Sequence, residues 1–206
     1  MMYLYIKYIY LNDTRLSIGE IKMSTIPASV SSVKLVLVDV QERLVPAMSD
    51  FETAGNRIKL LLAGAKELSL PVIATEQYPQ GLGSTLPEFS ELFQEDTPVI
   101  AKTGFSVFQE PEFVKALEQD KPETLIFCGI ESHVCVFQSV LDSLAAGYNT
   151  ILACDAVASR KNADRDAAVA QMRASGAMVV GTESILFMLL RNAKNPAFKA
   201  VSKLVR

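Results

Sequence analysis

Three residues able to do acyl-transfer chemistry stand at corresponding points of this chain: Asp39, Lys102 and Cys135. Each lies just past a short aliphatic run that reads as a buried parallel strand, over residues 33–38, 99–101 and 125–128. Cys135 comes after a glycine turn at Gly129. From Val136 onward apolar residues recur at helical spacing, with Val136, Val140 and Leu144 in one row, and Gly147 closes that helix. A thiol in the first turn of a helix is expected to have a lowered pKa and to act as a nucleophile. A carboxylate beside it can take the thiol proton as general base and return it as general acid. An ammonium favours the thiolate and the developing anion, and backbone N–H groups of the turn can hold an oxyanion. Singly, each residue has a plain alternative: a capping aspartate, a solvated lysine, a small buried cysteine.

What must position these groups is an open sheet. Strands are expected at 33–38, 72–75, 99–101, 125–128, 150–154 and 177–180, and they alternate with helical patterns. Phe51, Ala54, Ile58, Leu61, Leu62, Ala65 and Leu68 mark one amphipathic helix. Others are read at 112–119, at 162–175 with Asn162 as cap, and at 185–190 opened by Thr182-Glu183-Ser184. A last helix follows Asn195-Pro196, with Phe198, Val201 and Leu204 as its apolar stripe. The pattern predicts an α/β protein: a three-layer α-β-α arrangement around a mostly parallel, six-stranded, Rossmann-like sheet. Right-handed crossovers bring the C-terminal strand ends to one edge, so Asp39, Lys102 and Cys135 are expected to share a cleft. The loops at 40–44, 76–83 and 102–108 should border the same edge.

Composition narrows the class. The chain has 206 residues, half of them apolar, with a net charge of −3, one histidine and three cysteines. The charge gives no footprint for nucleic acid or an anionic membrane. An odd cysteine count without framework spacing argues for a reducing compartment, so the expected location is the cytoplasm, with mitochondria as the alternative. A single histidine does not make a zinc or iron site, and neither a metal nor another cofactor is expected. Residues 1–23 are rich in Tyr and Ile, too polar to span a bilayer and without a secretory cleavage site. We read residues 1–30 as an N-terminal extension and residues 31–206 as one domain.

The segments Leu35-Val36-Leu37-Val38-Asp39-Val40-Gln41, the run around Lys102, and Cys128-Gly129-Ile130-Glu131-Ser132-His133-Val134-Cys135 resemble the isochorismatase-like cysteine hydrolases, over roughly residues 33–205. Glu76-Gln77-Tyr78-Pro79, Asp155-Ala156-Val157-Ala158-Ser159-Arg160 and Asn195-Pro196-Ala197-Phe198-Lys199 look like the eukaryotic isochorismatase-domain-containing proteins in particular. The resemblance implies a triad of Asp39 as base, Lys102, and Cys135 as nucleophile. It also implies a cis peptide at Ile130–Glu131 that turns the N–H groups of Glu131 and Cys135 toward an oxyanion. Metal-dependent nicotinamidases of the family use more than one histidine near the triad. Here only His133 is present, inside the nucleophile turn, where a packing or hydrogen-bonding role is expected. Isochorismatase proper often lacks the cysteine, so Cys135 favours amide or related C–N hydrolysis.

The expected activity is therefore hydrolysis of a small amide, imide or ureido compound through a thioacyl intermediate. Gln41, Leu44, Tyr78, Phe105 and Phe108 are candidate pocket walls, with core packing as the alternative for the aromatics. The partner is a small-molecule substrate, with no nucleic acid and no membrane. The apolar C-terminal segment, residues 185–205, and the resemblance together suggest a homo-oligomer, a dimer or larger. The rival reading is a catalytically retired homo-oligomeric scaffold, because fold alone does not fix function.

Overall fold

The computed structural model describes Pro27 and residues 29–206. The extension at residues 1–30 therefore lies outside the described residues except for Pro27, Ser29 and Val30. Val30 packs on the core, so packing of the domain begins before residue 31.

Six strands, β1 (Val33–Val38), β2 (Val72–Gln77), β3 (Val99–Lys102), β4 (Thr124–Ile130), β5 (Asn149–Ala158) and β6 (Met178–Val180), form one sheet. Their order is β3-β2-β1-β4-β5-β6 and every neighbouring pair is parallel. The chain runs outward from β1 in one direction and then from β4 in the other. The topological switch point thus lies between β1 and β4, the place where open α/β sheets form a ligand crevice.

Strand residues alternate between the two faces. Leu35 and Leu37 of β1 join a core with α1 (Phe51–Glu67), α7 (Thr182–Leu190) and α8 (Phe198–Leu204). Val36 and Val38 join a second core with α4 (Pro111–Asp120), α5 (Phe137–Ala145) and α6 (Asn162–Ala174). Two short helices, α2 (Pro79–Leu82) and α3 (Pro87–Ser90), sit between β2 and β3. All six residues of β1 are buried, as a strand covered on both faces must be.

The structure corrects several expectations. β2 does not stop at residue 75 but continues through Gln77, because Glu76 and Gln77 pair with Ala101 and Lys102 of β3. Gly129 does not end β4. It lies inside the strand at φ +111°, and a Cβ there would fall 2.1 Å from the Val38 carbonyl oxygen. The glycine is therefore demanded by the close approach of β4 to β1. β5 runs past residue 154 to Ala158, with a register shift opposite Phe127 and Gly129. Asp155 in that irregular stretch accepts from the Thr182 N–H and hydroxyl, both at 2.8 Å, and so serves the start of α7. Asn162 is the first residue of α6, not its cap; its Nδ2 donates to Asp50 Oδ2 at 2.7 Å. The apolar C-terminal segment is largely spent within the chain, since Ile185, Leu186, Leu189, Leu190 and Val201 all enter the first core.

Candidate active site

Asp39 directly follows β1 in a left-handed conformation at φ +53°, which aspartate tolerates better than most residues. Its N–H donates to the Thr75 carbonyl at 3.1 Å and its carbonyl accepts from the Gln41 N–H at 2.8 Å. The carboxylate is fully buried. Thr75 Oγ1 donates to Oδ1 at 2.7 Å. Oδ2 meets the Lys102 ammonium at 2.7 Å, with both side chains at 0% exposure, yet takes no well-aligned hydrogen bond from any described residue. One carboxylate oxygen is thus occupied, and the other is charge-compensated but open to a proton.

Lys102 is the last residue of β3. Its Nζ also donates to Gln77 Oε1 at 2.5 Å and to the Phe105 and Gly104 carbonyls at 3.2 and 3.3 Å. The loop that supplies those carbonyls is held by Glu110 Oε1, which accepts from the Thr103 and Gly104 N–H groups at 2.9 and 3.1 Å. A buried lysine solvated by carbonyls and a carboxylate is far from the solvated loop lysine that sequence alone also allowed.

Cys135 is expected in the first turn of a regular helix. It lies instead in a single wide turn, residues 132–136, that precedes α5. The Glu131 carbonyl accepts from the Val134 and Val136 N–H groups at 3.1 and 3.2 Å, the second bond spanning five residues as in a π-turn. The Cys135 carbonyl accepts from Ser139 Oγ at 2.6 Å, and the same Oγ accepts from the Val107 N–H at 3.0 Å. Ser139 therefore ties the Cys135 turn to the segment that follows Lys102. The Ile130–Glu131 peptide is cis.

The lowered thiol pKa expected for Cys135 is not what this environment produces. Burial, and next the Asp39 charge, push it up to about 12, with Lys102 only partly opposing them. The favourable helix terminus is outweighed because the sulfur is removed from water and sits near a carboxylate. Burial also raises the Asp39 carboxyl above the usual carboxylate range, against the pull of Lys102 and Thr75. Burial thus favours the neutral thiol of Cys135, and it raises the proton affinity of the neighbouring Asp39 carboxyl as well.

Sequence reading missed Gln77. Its Oε1 accepts from Lys102 Nζ and lies 4.0 Å from Cys135 Sγ, while its Nε2 donates to the Thr103 carbonyl at 2.9 Å. The signal was available: Gln77 is the strand-end residue of β2, equivalent to Lys102 on β3. Ser139, hidden as a small residue inside a helix, gave no such signal.

The five candidate wall residues divide. Gln41 is fully buried and spent on backbone, donating to the Gln77 and Gly83 carbonyls at 3.0 and 2.7 Å and accepting from the Gln77 N–H at 2.7 Å. Phe108 packs edge-on against Phe113 at 5.4 Å and near Tyr148 at 6.0 Å, so it belongs to the core side. Leu44 packs with Met48, Ile130 and Ala158. Tyr78 and Phe105 are 54% and 52% exposed beside Gln77 and Lys102. They stand at the rim. His133 makes hydrogen bonds, with Nδ1 3.0 Å from Ser159 Oγ and Nε2 3.4 Å from Arg160 Nη2. Among the described residues no cluster of three or more His, Cys, Asp or Glu could hold a metal ion.

Known proteins of similar sequence and shape share the family and the fold. An isochorismatase-domain family model matches residues 34–184. The isochorismatase domain-containing protein 2 of Xenopus laevis is 39% identical over 173 residues, covering 83% of this chain and 82% of its own. The structure of MAR1 ribonuclease from Caenorhabditis elegans superposes with a TM-score of 0.82 at 37% identity, over 86% of this chain and 91% of that one. The YcaC gene product of Escherichia coli, an octameric hydrolase of unknown specificity, superposes with a TM-score of 0.80 at 25% identity, over 85% and 89% of the two chains. With its β1/β4 switch point and a family match over most of its length, the chain belongs to the isochorismatase-like family of hydrolases.

Proposed function

We propose that this protein is a cysteine hydrolase that cleaves a C–N bond of a small amide, imide or ureido compound through a thioacyl intermediate on Cys135. The observation that carries the reading is the open Oδ2 of a buried, lysine-paired Asp39 beside the buried Cys135 thiol. As Sγ attacks the substrate carbonyl carbon, its proton passes to Asp39. The tetrahedral oxyanion is met by the Glu131 and Cys135 N–H groups and by the field of Lys102. Asp39 then gives the proton to the leaving nitrogen as the C–N bond breaks, leaving a thioester. Water attacks that thioester, Asp39 takes its proton, and the acid product leaves as the thiol is restored.

The exposures of Asp39, Lys102 and Cys135 are 0%, 2% and 6%, which favours a small substrate that enters between rim residues such as Tyr78 and Phe105. The reading is tested by ammonia release from a panel of small primary amides and ureido compounds. Turnover by the wild type that falls about a thousandfold or more in Cys135→Ala and in Asp39→Asn supports it. Turnover retained in Cys135→Ala refutes it. We also propose a homo-oligomer, supported by the octameric YcaC relative; light scattering at the monomer mass would exclude it.

A second reading, hydrolysis of RNA, is favoured by the ribonuclease names of the Caenorhabditis elegans structure and of two Leishmania structures of the same fold. The net charge of −3 and the single histidine weigh against it. Cleavage of labelled RNA that is lost in Cys135→Ala would revive it.

A further inference from the structure

Arg160 lies just beyond β5 at the same sheet edge as Asp39 and Cys135, and nothing in the chemistry above uses it. Its side chain is 58% exposed, yet the guanidinium is held at two points and the backbone carbonyl at a third. Nε donates to Glu131 Oε1 at 2.6 Å, and Nη2 lies 3.4 Å from His133 Nε2. The Arg160 carbonyl accepts from Ser49 Oγ at 2.8 Å, and the neighbouring Ser159 carbonyl accepts from the Ser49 N–H at 2.9 Å. Arginine has no acceptor, so the His133 Nε2 facing it must be the bare nitrogen and Nδ1 must carry the hydrogen. Nδ1 then donates to Ser159 Oγ at 3.0 Å. The turn is tied to β5 a third time by Ser132 Oγ, which donates to the Ala158 carbonyl at 2.8 Å.

The bonds to Glu131, Ser132 and His133 converge on the start of the turn that carries Cys135, and those from Ser49 hold the segment 159–160 opposite it. Glu131 holds the turn's shape through its carbonyl, and its own carboxylate is 15% exposed and gripped by Arg160. An exposed ion pair contributes little to stability. A guanidinium with two fixed partners is, however, a good clamp on geometry.

We propose that Arg160 is a positioning residue: by gripping Glu131 and His133 together it fixes the backbone N–H groups of the nucleophile turn where the oxyanion forms. It touches neither the substrate nor the reacting atoms. The proposal rests on the cysteine-hydrolase reading, and its test separates the two.

Two probes of Cys135 differ in the chemistry they need. Acylation by 4-nitrophenyl acetate passes through an oxyanion, whereas alkylation by iodoacetamide displaces iodide and forms none. Both rates are measured at pH 9 in a Cys154→Ser background, with the site of modification mapped by mass spectrometry. Arg160→Gln should slow acylation of Cys135 about tenfold to a hundredfold, as expected for misplaced catalytic groups. Alkylation should stay within about twofold, and the melting temperature should barely move. Arg160→Lys should recover only part of the loss, because an ammonium can pair with Glu131 but lacks the planar fork that also reaches His133.

Equal losses in both rates, or an unchanged acylation rate, would overturn the positioning role and leave the hydrolase reading intact. A wild-type protein that is alkylated at Cys135 but never acylated there would overturn both.

Discussion

The Asp39–Lys102 pair gives a prediction whose size follows from its surroundings. Both side chains are fully buried and 2.7 Å apart. Lys102→Met leaves the Asp39 carboxylate with one hydrogen bond, from Thr75, and no counter-ion. Removing one partner of such a pair costs about 3–5 kcal/mol. Asp39→Asn is milder, about 1–3 kcal/mol, because the ammonium keeps three carbonyl acceptors, from Gln77, Gly104 and Phe105. Asparagine also tolerates the left-handed backbone at this position. The double variant Asp39→Asn/Lys102→Met removes both charges and should return to within about 1 kcal/mol of wild type. The coupling energy is then about 3 kcal/mol or more. The assay is urea unfolding followed by circular dichroism at fixed protein concentration, with thermal melts as a check; Lys102→Met should melt about 6–20 °C lower.

The pH dependence has a definite sign. Burial raises the Asp39 carboxyl, so the fold favours its protonated form. That contribution is present below the ordinary carboxyl pKa and is lost as pH rises through the folded-state value. The deficit of Lys102→Met should therefore be smaller at pH 5 than at pH 8. Single variants that each cost under about 1 kcal/mol, or a double variant that costs the sum of the singles, would refute this account of the pair.

Other expectations follow from the same geometry. With its thiol pushed up to about 12, Cys135 should alkylate slowly near neutral pH, its rate climbing about tenfold per pH unit between pH 8 and 11. The less buried Cys154 should be labelled first at pH 7.5, as peptide mapping would reveal. Gly129→Ala should cost about 3 kcal/mol or more by denaturant unfolding, since its Cβ would meet the Val38 carbonyl in a left-handed conformation. On the proposed mechanism Asp39 and Cys135 act as one proton-transfer unit, so kcat/KM of the double variant Asp39→Asn/Cys135→Ala should be about as low as that of either single variant.

The sheet was legible because its signal is local. Six aliphatic runs separated by amphipathic stretches admit little besides a covered parallel sheet, and a strand-end rule then puts Asp39, Lys102 and Cys135 on one edge. What the sequence hid depends on neighbours distant along the chain. β2 extends to Gln77 only because β3 pairs with it. Gly129 reads as a turn until β1 is seen to press on it. The Cys135 thiol looks activated at a helix start, and only its burial beside Asp39 reverses the direction of its shift. Among the candidate walls, Gln41 and Phe108 resemble ligand contacts by position, but the hydrogen bonds of one and the ring packing of the other are already taken by the fold.

The claim on which everything else depends is that Cys135 Sγ becomes acylated during turnover. Wild-type protein mixed with the best amide from the panel, quenched in acid within milliseconds to seconds and weighed intact, should carry one added acyl group. Peptide mapping should locate that group on Cys135, and the adduct should disappear as substrate is exhausted. Steady turnover of the same amide with no acyl mass on Cys135, or an adduct that persists in Cys135→Ala, would contradict the account.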